Sequence, residues 1–305
     1  MSCVVENIAF RGWPNCWRVA NDAVEIIATA DVGPRIISLR LTGGDNLLFV
    51  REEFAGLTGG AEWRNYGGHR LWHAPEDIVR TREPDNAPVK VQPVSRGFTL
   101  IAPVEPQSRI GREITVELHP TEAKATVSHR LINHGLWPVE LAPWALSVMA
   151  PGGFAICPMP KACHPDRLLP NRALALWPYS DLTDGRYLLG KDYVLLRHDG
   201  GRPEASERAK IGVMANDGWT AYALGDALFV KRFPVIEGAR YPDYQSTVEL
   251  FTNNRFLELE TLGPLQLVAP GAMVEHVEQW EIHGGLPLKF DEASVSARIA
   301  PLLAE

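Results

Sequence analysis

The sequence of 305 residues lacks basic clusters and long apolar runs. Its formal charge is -7, from 30 Lys and Arg against 37 Asp and Glu, and basic residues adjoin only in pairs such as Lys231-Arg232. That distribution argues against a nucleic-acid partner. No window approaches the ~18 apolar residues of a membrane span, and Met1 to Ala9 carries no basic segment ahead of an apolar one, as a secretion signal would. We therefore expect a cytoplasmic protein without a membrane or nucleic-acid partner.

Cysteine is also scarce, with only Cys3, Cys16, Cys157 and Cys163. Without a secretion signal, four cysteines in a chain of this length predict reduced thiols rather than a disulfide framework. Cys157 and Cys163 with the adjacent His164 lack the spacing and the further ligands of a metal site. The chain also has no GxSxG, P-loop, dinucleotide-binding or HExxH motif. We predict no metal and no cofactor.

Strand-like segments are what the sequence does contain. Each is short, rich in β-branched or aromatic residues, and bounded by Gly, Pro, Asn or Asp. They are residues 24–29, 35–41, 47–50, 89–94, 98–102, 113–119, 126–133, 139–149, 173–177, 193–198, 220–224, 227–233, 247–252, 256–260, 265–268 and 274–282. Between two of them, Gly225-Asp226 has the composition of a two-residue hairpin turn.

Other structural signals are few. Only residues 295–302 carry a helical apolar stripe, and no linker or fixed-period repeat divides the chain. The pattern predicts an all-β protein, a large antiparallel two-sheet β-sandwich that forms a single domain over residues 1–305. Residues 51–88, 151–172 and 234–246 show little alternation, and we interpret them as long loops of the kind that carry function.

Segment 62–77 concentrates the side chains that a small polar ligand requires. Flat aromatic rings cover C–H surfaces and convergent polar groups satisfy hydroxyls, which suits a sugar. The candidate ligand contacts are Trp63, Tyr66, Arg70, Trp72 and Glu76, and the candidate proton donors are His69 and His73. The alternative is a segment of core aromatics and loop salt bridges. Burying so many polar groups is costly unless a ligand or a network satisfies them, which favours a site.

A pair of glutamates forms a second candidate group. In Phe256 to Glu260, strand alternation places Glu258 and Glu260 on one face and the intervening leucines on the other. If that face lines a cleft, burial or a like-charged neighbour raises a glutamate pKa toward the range useful for proton transfer. The alternative is a solvent-facing strand surface. Glu249 belongs to a neighbouring segment and is expected to join the pair.

A third group combines basic and aromatic residues. Arg35 follows a Gly-Pro pair, Lys231 lies in the predicted hairpin, and Asp243 is flanked by tyrosines in the segment that follows it. We take Arg35 and Lys231 as candidate ligand contacts.

Four motifs resemble those of the galactose-mutarotase-like superfamily, and most closely a bacterial family related to aldose 1-epimerases. The motifs are Asp31-Val-Gly-Pro-Arg35-Ile, Tyr66-Gly-Gly-His-Arg-Leu-Trp-His-Ala-Pro-Glu76, Leu141-Ala-Pro-Trp144 and Leu259-Glu260-Thr-Leu-Gly-Pro264. The resemblance covers nearly the whole chain. It implies a two-sheet sandwich whose concave face holds a sugar or sugar phosphate.

The resemblance also implies a mechanism. In the active mutarotases of that superfamily, a glutamate takes the proton of the anomeric hydroxyl and a histidine protonates the ring oxygen. The position of the glutamate looks like Glu260. The strand that usually carries the histidine corresponds to Ala142 to Met149, where this chain has Trp144, a stacking platform, and no histidine. His69 or His73 is left as the possible acid.

Two hypotheses follow. The first is an aldose epimerase or mutarotase acting on a monosaccharide or sugar phosphate, with Glu260 as base, a histidine of segment 62–77 as acid, and Arg35, Arg70 and Lys231 orienting the substrate. The second is a sugar-binding or sensing protein that performs no catalysis. A structural module without a cleft is a third reading. The sequence does not indicate the oligomeric state or the sugar.

Overall fold

The structure is a computed structural model that describes residues 3–161, 166, 169–201 and 208–303. Its strands in the first half of the chain are β1 (Val4–Phe10), β2 (Trp13–Ala20), β3 (Val24–Thr29), β4 (Arg35–Leu41), β5 (His69–Ala74), β6 (Lys90–Val94), β7 (Gly97–Ile101), β8 (Ile110–Leu118), β9 (Lys124–Asn133) and β10 (Val139–Met149). Those in the second half are β11 (Phe154–Pro158), β12 (Leu174–Leu176), β13 (Tyr187–Leu189), β14 (Tyr193–Arg197), β15 (Ala209–Val213), β16 (Trp219–Leu224), β17 (Ala227–Arg232), β18 (Val248–Thr252), β19 (Leu257–Leu262), β20 (Gln266–Val268) and β21 (Met273–His283). A 3-10 helix at Glu52–Phe54, a single helical turn at Pro242–Gln245 and a C-terminal helix at Glu292–Leu303 complete the regular structure.

The strands pair antiparallel into two large sheets. Sheet 1 has the order β1-β2-β3-β4-β5-β10-β19-β18-β15-β12, and β20 pairs with β10 beside it. Sheet 2 has the order β13-β14-β11-β16-β17-β21-β9-β8-β7-β6. The predicted all-β, antiparallel two-sheet sandwich is confirmed.

The two sheets enclose one main apolar core. Alternate residues of a strand point to opposite faces, so half of each strand enters the core. Leu250 and Leu259, which are paired across β18 and β19, pack there with Val127 and Phe229 of sheet 2. The other face of sheet 1 is therefore free to carry polar side chains.

The C-terminal helix covers part of the outer face of sheet 2. Its stripe residues Val295 and Ile299 are buried against Phe154, Trp219 and Val230. No helix in the described ranges has the length and apolar character needed to cross a membrane.

The strands confirm the predicted hairpin but not all of the predicted loops. Leu224 pairs with Ala227 around Gly225-Asp226, so the predicted hairpin turn is confirmed. Residues 51–88 and 151–172, predicted as loops, contain β5 and β11. Both strands are buried along their whole length, so they lack the polar and apolar alternation that signals a half-exposed strand.

The cysteines of the described ranges, Cys3, Cys16 and Cys157, are free thiols. Burial raises the pKa of Cys16 to about 11, so this thiol stays protonated. Cys163 and His164 lie outside the described residues.

Replacing a core leucine of β19 is expected to destabilise the sandwich strongly. Leu259 is fully buried, and Leu259→Ala removes its apolar contacts and leaves a cavity, at a cost of about 2–5 kcal/mol in the free energy of unfolding. Leu267→Ala on β20 is the matched control, because Leu267 is 71% exposed and its loss should cost about 0.5 kcal/mol or less. Urea unfolding of both variants checks the difference. Equal destabilisation would contradict the placement of β19.

Candidate functional site

A cleft of about 350 Å³ opens on the outer face of sheet 1, away from the main core. Its floor is formed by β5, β10, β19, β18 and β15, which are neighbours in the sheet. Residues from the segments after β12 and before β5 form its walls. Side chains that are distant in sequence meet here because the strands that carry them are adjacent.

Strand register decides which side chains share the floor. Glu260 is paired with Glu249 on one side and with Leu146 on the other, and Leu146 is paired with Arg70. Directly paired residues project to the same face of a sheet. Trp144, two residues from Leu146 along β10, therefore points into the same cleft.

Aromatic rings line the cleft. Trp72 makes ring contacts with Trp63 and Trp144, at centroid distances of 5.9 and 5.5 Å. Trp177 and Tyr179 line the cleft as well. Flat rings of this kind cover the C–H face of a sugar, while polar groups nearby serve its hydroxyls.

Arg70 forms a buried ion pair on the floor. One of its guanidinium nitrogens lies 3.0 Å from Oε1 of Glu258, and another donates to Asn65 at 2.9 Å. The guanidinium also lies over the ring of Trp72, 4.4 Å from its centroid. Because these contacts hold both members of the pair in place, Arg70 and Glu258 direct fixed polar groups into the cleft.

Glu260 lies in the floor of the cleft and is fully buried. Its Oε2 accepts a hydrogen bond from Nε1 of Trp144 at 2.8 Å and from Nζ of Lys210 at 3.1 Å. Its Oε1 is buried and has no hydrogen-bond donor in the part of the chain that the structure describes. One carboxyl oxygen is therefore anchored and the other is open to a further donor.

Lys210 is the cation of this cluster. Its Nζ lies 2.7 Å from Oε2 of Glu249 and 3.1 Å from Oε2 of Glu260. It also lies 4.8 Å and 4.6 Å from the ring centroids of Trp144 and Trp177. Burial opposes the charge of Lys210, but the two carboxylates outweigh it and raise the pKa of the ammonium, which stays charged.

Burial also changes the acidity of the carboxyls. It raises the pKa of Glu260 to about 7, against the attraction of Lys210 and with the help of Glu258. It raises the pKa of Glu249 to about 7 as well, again against Lys210. A carboxyl that titrates near neutral pH can both accept and return a proton.

The turn Pro242–Gln245 brings a third carboxyl to the cluster. Asp243, Tyr244 and Gln245 have φ of 47°, 58° and 73°, the left-handed region that non-glycine residues rarely adopt. Each such residue costs roughly 1–2 kcal/mol. Oγ of Ser246 donates to the carbonyl of Asp243 at 2.7 Å and helps to hold the turn. Burial, followed by the nearby Glu249, raises the pKa of Asp243 to about 7.

The structure brings together most of the side chains that the sequence suggested. Among the residues that the sequence suggested, those that line the cleft are Trp63, Arg70, Trp72, Glu76, Trp144, Glu258 and Glu260. It does not bring in His69, His73, Arg35, Tyr66 or Lys231.

The two histidines lie on the wrong face of β5. Side chains alternate along a strand, so Arg70 and Trp72 point to the cleft while His69 and His73 point to the interior. Nδ1 of His69 lies 2.8 Å from Oγ of Ser147. Burial lowers the pKa of His73 to about 4, so it is neutral at pH 7. The expectation that either histidine reaches the cleft must be corrected.

Arg35 and Tyr66 are held by residues of the segment that follows β5. Arg35 is fully buried, lies 2.5 Å from Oδ2 of Asp85, and stacks under the ring of Tyr66. The hydroxyl of Tyr66 donates to Asn86 at 3.0 Å. Both residues therefore support the loop instead of lining the cleft.

Lys231 belongs to sheet 2 and points into the interior. Its Nζ lies 2.9 Å from Oε1 of Glu278, and both side chains are fully buried. It was expected to orient a substrate, but it neutralises a core carboxylate instead.

The interior also contains the arrangement closest to a metal site among the described residues. Ligand atoms of His69, His129 and Glu278 lie within 4.8 Å of one another. However, Nε2 of His69 lies 2.7 Å from Nε2 of His129, so each nitrogen is already engaged by the other. Glu278 accepts from Nε1 of Trp280 at 2.7 Å and pairs with Lys231. Hydrogen bonds account for these positions, and we assign no metal to them.

Sequence reasoning missed Lys210, the cation on which the cluster depends. The signal was present in β15, where apolar residues at positions 209, 211 and 213 alternate with Lys210 and Gly212. It also missed Trp177, Tyr179 and Arg208 at the cleft walls. Trp177 and Tyr179 follow the short strand β12, and Arg208 precedes β15. Only the tertiary structure identifies them as residues of the cleft.

Solved structures share this architecture. A protein from Synechocystis sp. PCC 6803 matches with a TM-score of 0.57 at 12% identity, over 92% of this chain and 99% of that chain. A galactose mutarotase-like protein from Clostridium acetobutylicum matches with a TM-score of 0.57 at 10% identity, over 93% and 99%. One from Lactobacillus casei has a TM-score of 0.52 at 9% identity, over 87% and 99%.

These similarities define the fold. The chain has the two-sheet architecture of galactose mutarotase-like proteins, as the resemblance of its motifs implied. No protein-family model matches the chain, and no curated protein matches it in sequence.

The buried carboxyls predict a particular dependence of stability on pH. A glutamate with a pKa of about 7 when folded and 4.5 when unfolded binds more protons in the folded state between these values. Glu249 therefore favours the folded state most below about pH 4.5, where it is protonated in both states, and this stabilisation is lost as pH rises through about 7. The difference between wild type and Glu249→Gln should therefore fall across this window, by at most on the order of 3 kcal/mol.

Urea unfolding at several pH values measures this difference. Glu275→Gln is the control, because Glu275 is a partly exposed carboxylate paired with Arg130 at 2.8 Å on the other sheet. Its curve should run parallel to that of wild type. A parallel curve for Glu249→Gln would show that the Glu249 pKa is not raised by folding.

Proposed function

We propose that this protein binds a monosaccharide or a sugar phosphate in the cleft and exchanges its anomers, as an aldose 1-epimerase does. The observation that carries the proposal is the buried Glu260 in the floor of an aromatic cleft, with Oε2 anchored by Trp144 and Lys210 and Oε1 without a donor among the described residues. An open carboxyl oxygen of this kind is suited to accept the proton of a sugar hydroxyl.

The reaction needs one proton to leave the sugar and one to arrive. Glu260 takes the proton from the anomeric hydroxyl, the bond from the anomeric carbon to the ring oxygen breaks, and the proton held by Glu260 is passed to the ring oxygen, directly or through water in the open cleft. After rotation of the aldehyde the steps reverse, and the ring closes to the other anomer. A pKa of about 7 suits Glu260 to both directions at neutral pH.

The walls of the cleft supply the binding contacts. Trp63, Trp72 and Trp144 would stack on the sugar, and the Arg70 and Glu258 pair would bond its hydroxyls. Arg208 is exposed at the rim, and within the described ranges it makes no ion pair, only a contact with the ring of Tyr179 at 5.9 Å. That guanidinium suits a phosphate group on the substrate.

A specific observation favours a second candidate, sugar binding without turnover. No histidine is among the described residues that line the cleft, so the group that protonates the ring oxygen is not of the usual kind. Such a protein would keep the aromatic wall and the ion pair and use them for binding alone.

Glu260→Gln separates the two functions. The amide cannot accept the proton, so exchange of anomers should fall by at least ~100-fold toward the spontaneous rate, while the isosteric side chain keeps the cleft intact. The rate is measured by magnetisation transfer between the anomeric signals of free and phosphorylated monosaccharides. Tryptophan fluorescence reports binding in the same samples, since four tryptophans line the cleft.

The control is Glu140→Gln. This glutamate lies on the same strand as Trp144, but it is exposed and paired with Arg240. It should exchange anomers at the rate of wild type. Binding of a sugar by wild type without faster exchange would support the second candidate, and neither binding nor exchange across the panel would refute both.

Replacing His73 should leave the reaction intact. Because its side chain lies on the interior face of β5, His73→Gln is expected to keep the exchange rate within about twofold of wild type, whereas loss of a true general acid costs ~100-fold or more. Rates are compared after near-ultraviolet circular dichroism shows that the variant is folded. If the variant is folded but no longer exchanges anomers, His73 takes part in the reaction and the prediction is wrong.

A further inference from the structure

Three carboxyl groups gather around a single ammonium beneath the cleft. Glu249 and Glu260 are paired directly across β18 and β19, and Nζ of Lys210 bridges them at 2.7 and 3.1 Å. The carboxyl of Asp243 lies against that of Glu249, within reach of a hydrogen bond if one of the two is protonated.

The charges of this cluster do not balance when every carboxyl is ionised. Three carboxylates and one ammonium leave two negative charges where Glu249 and Glu260 are fully buried. Uncompensated buried charge is costly, and two neighbouring carboxylates lower the cost by retaining a proton. The shortage of donors agrees with this, because Oε1 of Glu249 and Oε1 of Glu260 are buried without one in the described part of the chain.

Apart from the exposed Arg208, the other cations near the cluster are already engaged. Arg70 is paired with Glu258, Arg82 with Glu76, and Lys231 of sheet 2 with Glu278. The remaining charged or titratable groups that face Glu260 or its partners are Tyr179 and the exposed Arg208. Burial raises the pKa of Tyr179 to about 12, so it is neutral. None of these groups supplies the missing positive charge.

We propose that Asp243, Glu249 and Glu260 share a proton, and that the Asp243 and Glu249 pair stores it so that Glu260 faces the cleft as an ionised base. Asp243 and Glu249 are positioning residues, since they act on the sugar only through Glu260. When Glu260 accepts a proton, the stored proton moves outward to Asp243, which is half-buried and the nearest of the three to solvent. The role of Asp243 and Glu249 in the exchange of anomers rests on the proposed function, whereas the sharing of a proton among the three carboxyls does not.

Infrared spectroscopy of the full chain without sugar tests the shared proton. Wild type at neutral pH should show the carbonyl band of a protonated carboxyl, and the band should disappear as pH rises well above about 7. Glu249→Gln and Asp243→Asn should each remove it, and Glu275→Gln should keep it. Absence of the band in wild type would overturn the proposal, as would its persistence in both cluster variants. Asp243 is partly exposed, so Asp243→Asn keeps the test available if Glu249→Gln fails to fold.

The pH profile of anomer exchange tests the role. Glu249→Gln removes a like charge from beside Glu260 and leaves Lys210 to Glu260 alone, so the acidic midpoint of the profile should move lower by about one pH unit. A profile unchanged from wild type would show that the pair does not act through Glu260. A band without any exchange in wild type would refute the epimerase function and leave the shared proton standing.

Discussion

The antiparallel register of β19 between β10 and β18 is the constraint on which the site depends. It directs Glu258 and Glu260 to the outer face and Leu257, Leu259 and Thr261 to the interior. A slip of one residue would exchange the two sets and place the glutamates in the apolar core. The register is held strongly because both faces of the strand are buried, so either exchange would carry a large penalty in desolvation or lost packing.

Each face of this strand has its own lysine. Lys210 bridges Glu249 and Glu260 on the cleft side. On the interior side, Nζ of Lys231 lies 2.9 Å from Glu278 and 3.4 Å from the carbonyl of Leu259. The two lysines differ in consequence. Lys231 pairs with Glu278 and helps to lower the pKa of that carboxyl well below its ordinary value. Lys210 lies beside Glu249 and Glu260, and the pKa values of both carboxyls are raised to about 7. Lys231 and Glu278 therefore form a one-to-one ion pair, whereas the excess of carboxyls around Lys210 is the arrangement for which we propose a shared proton.

The site therefore combines a shared architecture with its own arrangement of acids. Solved galactose mutarotase-like proteins have the same two-sheet fold at 9–10% identity. At such identity the fold carries no residue-level assignment, and the chemistry must be read from the cleft itself. Here the cleft presents tryptophans, an Arg70 and Glu258 pair and the Lys210 cluster, with both histidines of β5 turned to the interior.

Local patterns in the sequence determined the sandwich, the Gly225-Asp226 hairpin and the shared face of Glu258 and Glu260, because alternation and turn chemistry act over a few residues. The same alternation in β5 separates Arg70 and Trp72 from His69 and His73, yet it was hidden because that strand is buried on both faces. Only the tertiary structure decided that Arg35 pairs with Asp85 in the interior and that Lys210 lies between Glu249 and Glu260. Those contacts depend on strand order and long-range register, which no single segment specifies.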